Sequence, residues 1–291
     1  MDIRTLLHGA CDLHVHAAPD VVRRKQDAVD LGRAAASMGM AAVGLKDHTF
    51  STAGRAHVLN RMFPQGPNFL GCMALNPPVG GLNPWAVESF LREGGKILYM
   101  PTYGARNHIR RWGAGKPPTN FPLPRGFEGI SLLNASGNLV AECDPILEMV
   151  AQYDAVLATG HIAPEESMAV LIRARRLGVR RLLVTHASEE VTDMPMDLQK
   201  QAVDMGAMVE HCFFGVTDAC PGDLSLEEIR DQILELGAKH VILTSDLGQV
   251  SNPAPVAGFG FYLEKLAAVG VPEQAIRRMI HDNPEKLVGP A

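Results

Sequence analysis

Two histidines one residue apart stand in the stretch Asp12-Leu13-His14-Val15-His16. Side chains two apart on a strand share a face. His14 and His16 would then present two imidazoles side by side, half the ligand set of a four-coordinate, zinc-like divalent ion. Two hydrogen-bonded histidines at a loop would look the same, so the weight falls on where the other candidates lie. His48 follows the run Ala41–Leu45, His161 follows Ala155–Ala158, His186 follows Arg181–Thr185, and Asp246 follows Val241–Ser245. Each stands just beyond a short apolar stretch. Asp246 adds a hard oxygen ligand and a carboxylate that can take a proton from metal-acidified water. Glu210 and His211 are adjacent, so on a regular strand only one of them faces inward. Either would serve better as a partner to a ligand than as a ligand.

The apolar runs supply the framework. Eight of them, ending near residues 16, 45, 75, 100, 158, 185, 209 and 244, read as short buried strands. Helices are predicted between them over about 27–38, 52–63, 84–93, 145–153, 164–177, 193–205 and 226–236, with two more over 258–269 and 272–281. Such alternation implies parallel strands joined by right-handed crossovers. Eight units in 291 residues suit one closed α/β domain over 1–291, a (β/α)8 TIM-like barrel. An open doubly wound sheet is the alternative, but the Gly-x-Gly-x-x-Gly turn after its first strand is missing. In a barrel every candidate above falls at the carboxyl end of its strand, where catalytic residues collect.

The stretch 103–141, after the fourth strand, interrupts the rhythm. It is long, weakly periodic, and rich in Gly, Pro and Arg. An insertion of this length leaving the catalytic end reads as a lid. Its first half carries Arg106, His108, Arg110, Arg111 and Lys116 without an acidic residue. Arginine forks suit carboxylate or phosphate groups, so Arg110 and Arg111 are candidate ligands for an anionic substrate. A solvated basic loop or a dimer contact are the other readings.

Composition excludes several classes. A formal charge of −5 gives no reason to expect nucleic acid or an anionic membrane as a partner. No run approaches the length of a membrane span, and the first residues lack the apolar core of a signal peptide. The five scattered cysteines fit free thiols in a reducing cytoplasm. No Ser or Cys sits in a nucleophile elbow, which leaves activated water rather than covalent catalysis.

With His14-x-His16, His161, His186 and Asp246 at the ends of strands one, five, six and eight, the whole chain resembles the amidohydrolase superfamily of metal-dependent hydrolases. The closing Asn283-Pro284-Glu285-Lys286-Leu287-Val288-Gly289 is similar to that superfamily's last helix. Asp12-Leu13-His14-Val15-His16 with Gly44-Leu45-Lys46-Asp47-His48 also resembles the first two motifs of the polymerase-and-histidinol-phosphatase family. There the histidine matching His48 is a metal ligand. The resemblance implies one or more divalent ions, zinc by default, held by His14, His16, His161, His186 and Asp246. It implies water-driven cleavage of a small ester, lactone, amide or phosphoester, with Asp246 moving the proton. It equally allows a metal-dependent decarboxylase, and a catalytically inactive small-molecule-binding barrel is the non-enzymatic alternative. Barrels of this type are often dimers, so a homo-oligomer is an expectation too. Strand four lacks the family's bridging lysine or glutamate. Lys46, at the end of strand two, is a candidate for a carboxylated lysine, or for a cation that neutralises Asp47 or binds substrate, and His211 for a metal or substrate contact.

Overall fold

The computed structural model describes residues 2–113, 121 and 123–289. The chain opens with α1 (Ile3–Leu7), whose first turn is capped by the Asp2 carboxylate accepting from the amides of Arg4 and Thr5. Leu6 and Leu7 are the buried residues of this helix. Then follow β1 (Cys11–Val15), α2 (Ala28–Ser37), β2 (Ala42–Leu45), α3 (Ala53–Met62), β3 (Asn68–Ala74), α4 (Pro84–Arg92) and β4 (Gly95–Tyr99). The second half runs α5 (Arg106–Trp112), α6 (Cys143–Gln152), β5 (Val156–Ala158), α7 (Pro164–Arg176), β6 (Arg181–Val184), α8 (Met196–Asp204), β7 (Ala207–Cys212), α9 (Leu226–Leu236) and β8 (Val241–Thr244). It closes with α10 (Pro255–Ala268), α11 (Glu273–Ile280) and α12 (Asp282–Val288). Pro84, Pro164 and Pro255 open their helices, where the missing amide has no partner to lose.

Among the described residues eight strands pair in parallel in the order β1 to β8. The last meets the first through His16 N donating to Leu247 O at 2.8 Å and Asp246 N donating to His14 O at 2.8 Å. The result is the expected (β/α)8 barrel, with the insertion after β4. The barrel interior is filled by Leu13, Leu70, Cys72, Ile97, Tyr99, Val156, Leu183 and Ile242, with Leu287 and Val288 of α12 packed into the same cluster. A larger apolar layer lies between strands and helices. Among the described residues no helix is long and apolar enough to cross a membrane.

One irregularity positions the site. The β1–β2 register shifts between Asp12 and Val15, so β1 carries a bulge. Bulges re-aim side chains, and this one lets Leu13 fill the barrel while His14 still reaches the centre of its mouth. Asp12 Oδ1 accepts from Ser245 N at 3.0 Å and from His14 N at 3.4 Å, fixing the bulge to the β8 exit. The bulge leans on β2 at Gly44, where an added Cβ would lie 2.0 Å from Leu13 O. No residue larger than glycine fits there without moving backbone.

The insertion is not structureless. It begins with α5, returns through a bridge between Ala105 and Ile130, and is pinned at Glu166, which accepts from Ser131 Oγ at 2.8 Å and Leu132 N at 2.7 Å. Lys116 lies outside the described residues.

Candidate metal centre

Four strand ends bring five imidazoles into one buried cluster. Ring centroids lie 5.6 Å apart for His14 and His16, 5.1 Å for His14 and His186, 4.9 Å for His161 and His186, and 4.8 Å for the stacked pair His16 and His48. Asp246 lies among them. Its Oδ1 is 3.1 Å from His14 Nε2 and 2.9 Å from His16 Nε2, and its Oδ2 is 3.8 Å from His186 Nε2. Two ligand atoms on a tetrahedral zinc, each ~2.0–2.1 Å from it, would stand ~3.3 Å apart. The observed separations bracket that value. His161 Nε2 is buried and has no hydrogen-bond partner among the described residues. A divalent ion therefore fits the residues present.

The opposite ring nitrogens say which face an ion would take. His14 Nδ1 pairs with Glu210 Oε1 at 3.1 Å and His186 Nδ1 with Glu189 Oε1 at 2.7 Å. Carboxylates behind the ring orient it and raise its basicity as a ligand. A second grouping, His14 and His186 with Cys212, uses these same Nδ1 atoms. Glu210 and Glu189 already occupy them, and burial raises the Cys212 thiol well above its usual range. The Nε2 set is the better ion site.

The electrostatics agree. Burial holds His16, His48 and His161 well below the usual imidazole range, so they are neutral and able to coordinate. For His14 burial again opposes charge, but Asp246 and Glu210 outweigh it and carry the group up to about 9. Burial also works against Asp246 and Glu210, yet His14 beside each holds both below the usual carboxylate range. Lys46 Nζ lies 2.7 Å from His14 Nε2 and 4.5 Å over the Tyr99 ring, and burial lowers its pKa. At 2.7 Å one of the two nitrogens must lack its proton. Backbone geometry is unusual here too: His186 and Asp246 have φ of 53° and 46°. Strained non-glycine positions of this kind concentrate at functional sites.

The remaining candidates divide cleanly. Lys46 and His48 turn into the site. Asp47 turns away and takes Thr49 and Arg55, so Lys46 does not neutralise it. His48 Nδ1 pairs with Thr102 Oγ1 at 2.8 Å. Asn76, where a phosphoesterase-type cluster would place an acid, holds backbone instead: it donates to His48 O and accepts from Thr102 N and Gly104 N. Of the adjacent pair, Glu210 faces inward, and His211 faces outward to Ser188 Oγ at 2.8 Å. Arg110 and Arg111 lie exposed on α5, with Arg111 donating to Glu190 O, and neither lines the central cavity. That helix contributes His108, whose Nδ1 is 2.8 Å from His161 Nδ1, and Trp112.

Residues 9–210 match the model of a family described as of unknown function, DUF6282. The chain belongs to that family. The DUF6282 match covers β1 through Glu210 and stops before β8, which carries Asp246. None of the curated proteins matches the chain. Solved structures do share its fold. An amidohydrolase from Pseudomonas aeruginosa superposes with a TM-score of 0.65 at 11% identity over 99% of this chain and 98% of that one. The probable dipeptidase PvdM from Pseudomonas aeruginosa gives 0.66 at 12% identity, over 99% and 96%. A 2,6-dihydroxybenzoate decarboxylase gives 0.56 at 13% identity, over 97% and 99%. Identities this low establish a common barrel and nothing finer.

The cavity of this DUF6282 barrel opens directly on the cluster. Its volume is about 50 Å³, and its walls include His16, His48, His161, His186, Asp246, Trp112, Phe121 and Arg24. The sequence reading passed over Arg24, Glu189 and Trp112. Only the basic run Arg23-Arg24-Lys25, eight residues after His16, hinted at the first.

Proposed function

We propose that this protein is a metal-dependent hydrolase acting on a small ester, lactone, amide or phosphoester with an anionic group. His14, His16, His186 and Asp246 would hold a divalent ion, zinc by default, with His161 as a further ligand. The observation that carries this reading is the convergence of His14 Nε2 and His16 Nε2 on one oxygen of Asp246, with carboxylates behind His14 and His186. A bound ion would supply Lewis acidity and an acidified water. Asp246 Oδ2, the oxygen not shared between His14 and His16, is placed to take a proton and return it to a leaving group. His48 and Lys46 stand beside the reacting atoms, where they can orient or polarise the substrate. Lys46, buried with a lowered pKa, also suits a carboxylated side chain. Trp112 and Phe121 wall the cavity from the insertion, which supports a lid over 103–141 that excludes water. A common fold with an amidohydrolase and a dipeptidase supports hydrolysis, and likeness to a decarboxylase keeps carbon–carbon cleavage as the second reading.

The test is metal content per chain on protein purified without added metal, followed by turnover on a panel of small esters, lactones, amides and phosphoesters. About one equivalent, lost in His14→Ala and His16→Ala, is expected. A wild-type chain that neither retains an ion nor gains stability when zinc is added would overturn the reading and leave a binding barrel.

A further inference from the structure

The cavity holds a cation at its wall. Arg24 leaves β1 eight residues after His16, on a segment bridged to the β8 exit loop: Arg24 pairs with Gln249, and Lys25 N donates to Gly248 O at 2.8 Å. The segment that carries the guanidinium is thereby tied to the loop that follows Asp246. The Arg24 side chain is 5% exposed. Nε donates to Asp20 Oδ2 at 2.7 Å, and Nη2 donates to His16 Nδ1 at 3.2 Å. The group lies 5.9 Å over the Phe121 ring. Nη1 has no hydrogen-bond partner among the described residues. Nη1 thus keeps a donor free at the cavity wall, where an acceptor on a ligand can take it.

Metal loading would sharpen the point. A neutral imidazole that gives Nε2 to an ion carries its proton on Nδ1. His16 Nδ1 could then no longer accept from Arg24. The loaded site would leave the whole Nη1–Nη2 edge without an acceptor, turned to a cavity of about 50 Å³ walled by Trp112, Phe121 and Phe214. A planar two-oxygen anion matches that edge in the bidentate manner. The other acid on this wall, Glu189, is already committed to His186.

We infer that Arg24 is the substrate-recognition residue of the site and that the substrate, or its product, is a small carboxylate. This rests on the hydrolase reading and narrows its substrate class. It also moves the anion contact from α5 to the β1 exit loop.

The test compares Arg24→Gln with wild type, each loaded with zinc. Formate and acetate are titrated calorimetrically against their neutral counterparts formamide and acetamide. Melting temperature and zinc content are read on the same samples. Arg24→Gln should weaken the carboxylates at least tenfold and the amides less than twofold, with Arg24→Lys between. Equal effects on acid and amide, no carboxylate preference in wild type, or tighter binding of inorganic phosphate than of either carboxylate would overturn the inference. If Arg24→Gln does not fold, the Arg24→Lys comparison decides: unchanged carboxylate preference there overturns the bidentate contact. An Arg24-dependent carboxylate preference in protein that holds no zinc would uphold the contact and sink the metal reading instead.

Discussion

Asp246→Asn separates ligation from architecture. The backbone at 246 has φ of 46°, a region asparagine tolerates, so the substitution keeps the β8 exit and its amide bond to His14 O. What disappears is the charge. Asp246 Oδ1 faces two imidazole Nε2 atoms at 3.1 and 2.9 Å. Removing a group that only orients a ligand costs about ten- to a hundredfold in metal affinity, so removing the charge of a ligand itself should cost at least about a hundredfold. Take a hundredfold loss, with zinc at 1,000 times the wild-type Kd. Stabilisation by the bound ion then falls from about 4.1 to about 1.4 kcal/mol. For a chain of 291 residues that is a melting-temperature increment smaller by about 4–5 °C. The assay is differential scanning calorimetry with and without zinc on both proteins. The quantity to compare is the zinc-induced increment, because the metal-free variant also loses the pairing of His14 with Asp246. Equal increments in the two proteins would refute the placement of Asp246 in the ligand set, whatever happens to turnover.

Two further outcomes concern the adjacent pair Glu210 and His211. Glu210→Gln should keep the fold and weaken metal binding by about ten- to a hundredfold, since Glu210 orients His14 through Nδ1. Competition against a fluorescent zinc chelator measures it, and an unchanged affinity would put the ion elsewhere. His211, buried with a pKa lowered by burial to about 4, is neutral in the folded chain. The unfolded chain takes up that proton first, near 6.5, so the contribution of His211 is intact above 6.5 and is lost as pH falls towards 4. The difference is about 3 kcal/mol at 1.36 kcal/mol per pH unit. His16, His48, His108 and His161 drift the same way, so the informative quantity is wild type minus His211→Asn. Parallel denaturant midpoints for the two proteins between pH 7 and 4 would show that His211 is not the group responsible.

The barrel was legible because buried parallel strands are written as uninterrupted apolar runs, and because all but the fourth run here stop at a polar residue. His14, His16, His48, His161, His186 and Asp246 converge as their positions in the chain implied. What the chain hid depends on contacts between elements. The β1 bulge is set by Asp12 reaching the β8 exit and by Gly44 across the strand pair, neither of which has a local signature. Helix α5 is short, and its buried face is one pair, His108 and Trp112, four residues apart. Against Gly, Pro and Arg neighbours that pair does not register as a period. The turn of α5 also leaves Arg110 and Arg111 off the wall of the central cavity, which charge counting cannot reveal. Arg24 reaches the site only because its loop pairs with residues more than two hundred positions later.

The same long-range pairing has a consequence for how the molecule is made. His14 and His16 leave the ribosome about 230 residues ahead of Asp246 and the exit of the strand that seals the barrel. At ~5–20 residues per second that interval is on the order of 10–50 s. During it the growing chain has imidazoles but not the carboxylate between them, and would hold an ion only loosely. Once β8 docks, an ion gripped by His14, His16 and Asp246 would span the junction of first and last strands, as a clasp joins the two ends of a band. Opening that junction would then mean breaking metal bonds as well as backbone hydrogen bonds. Loading with metal and completion of the barrel become one event.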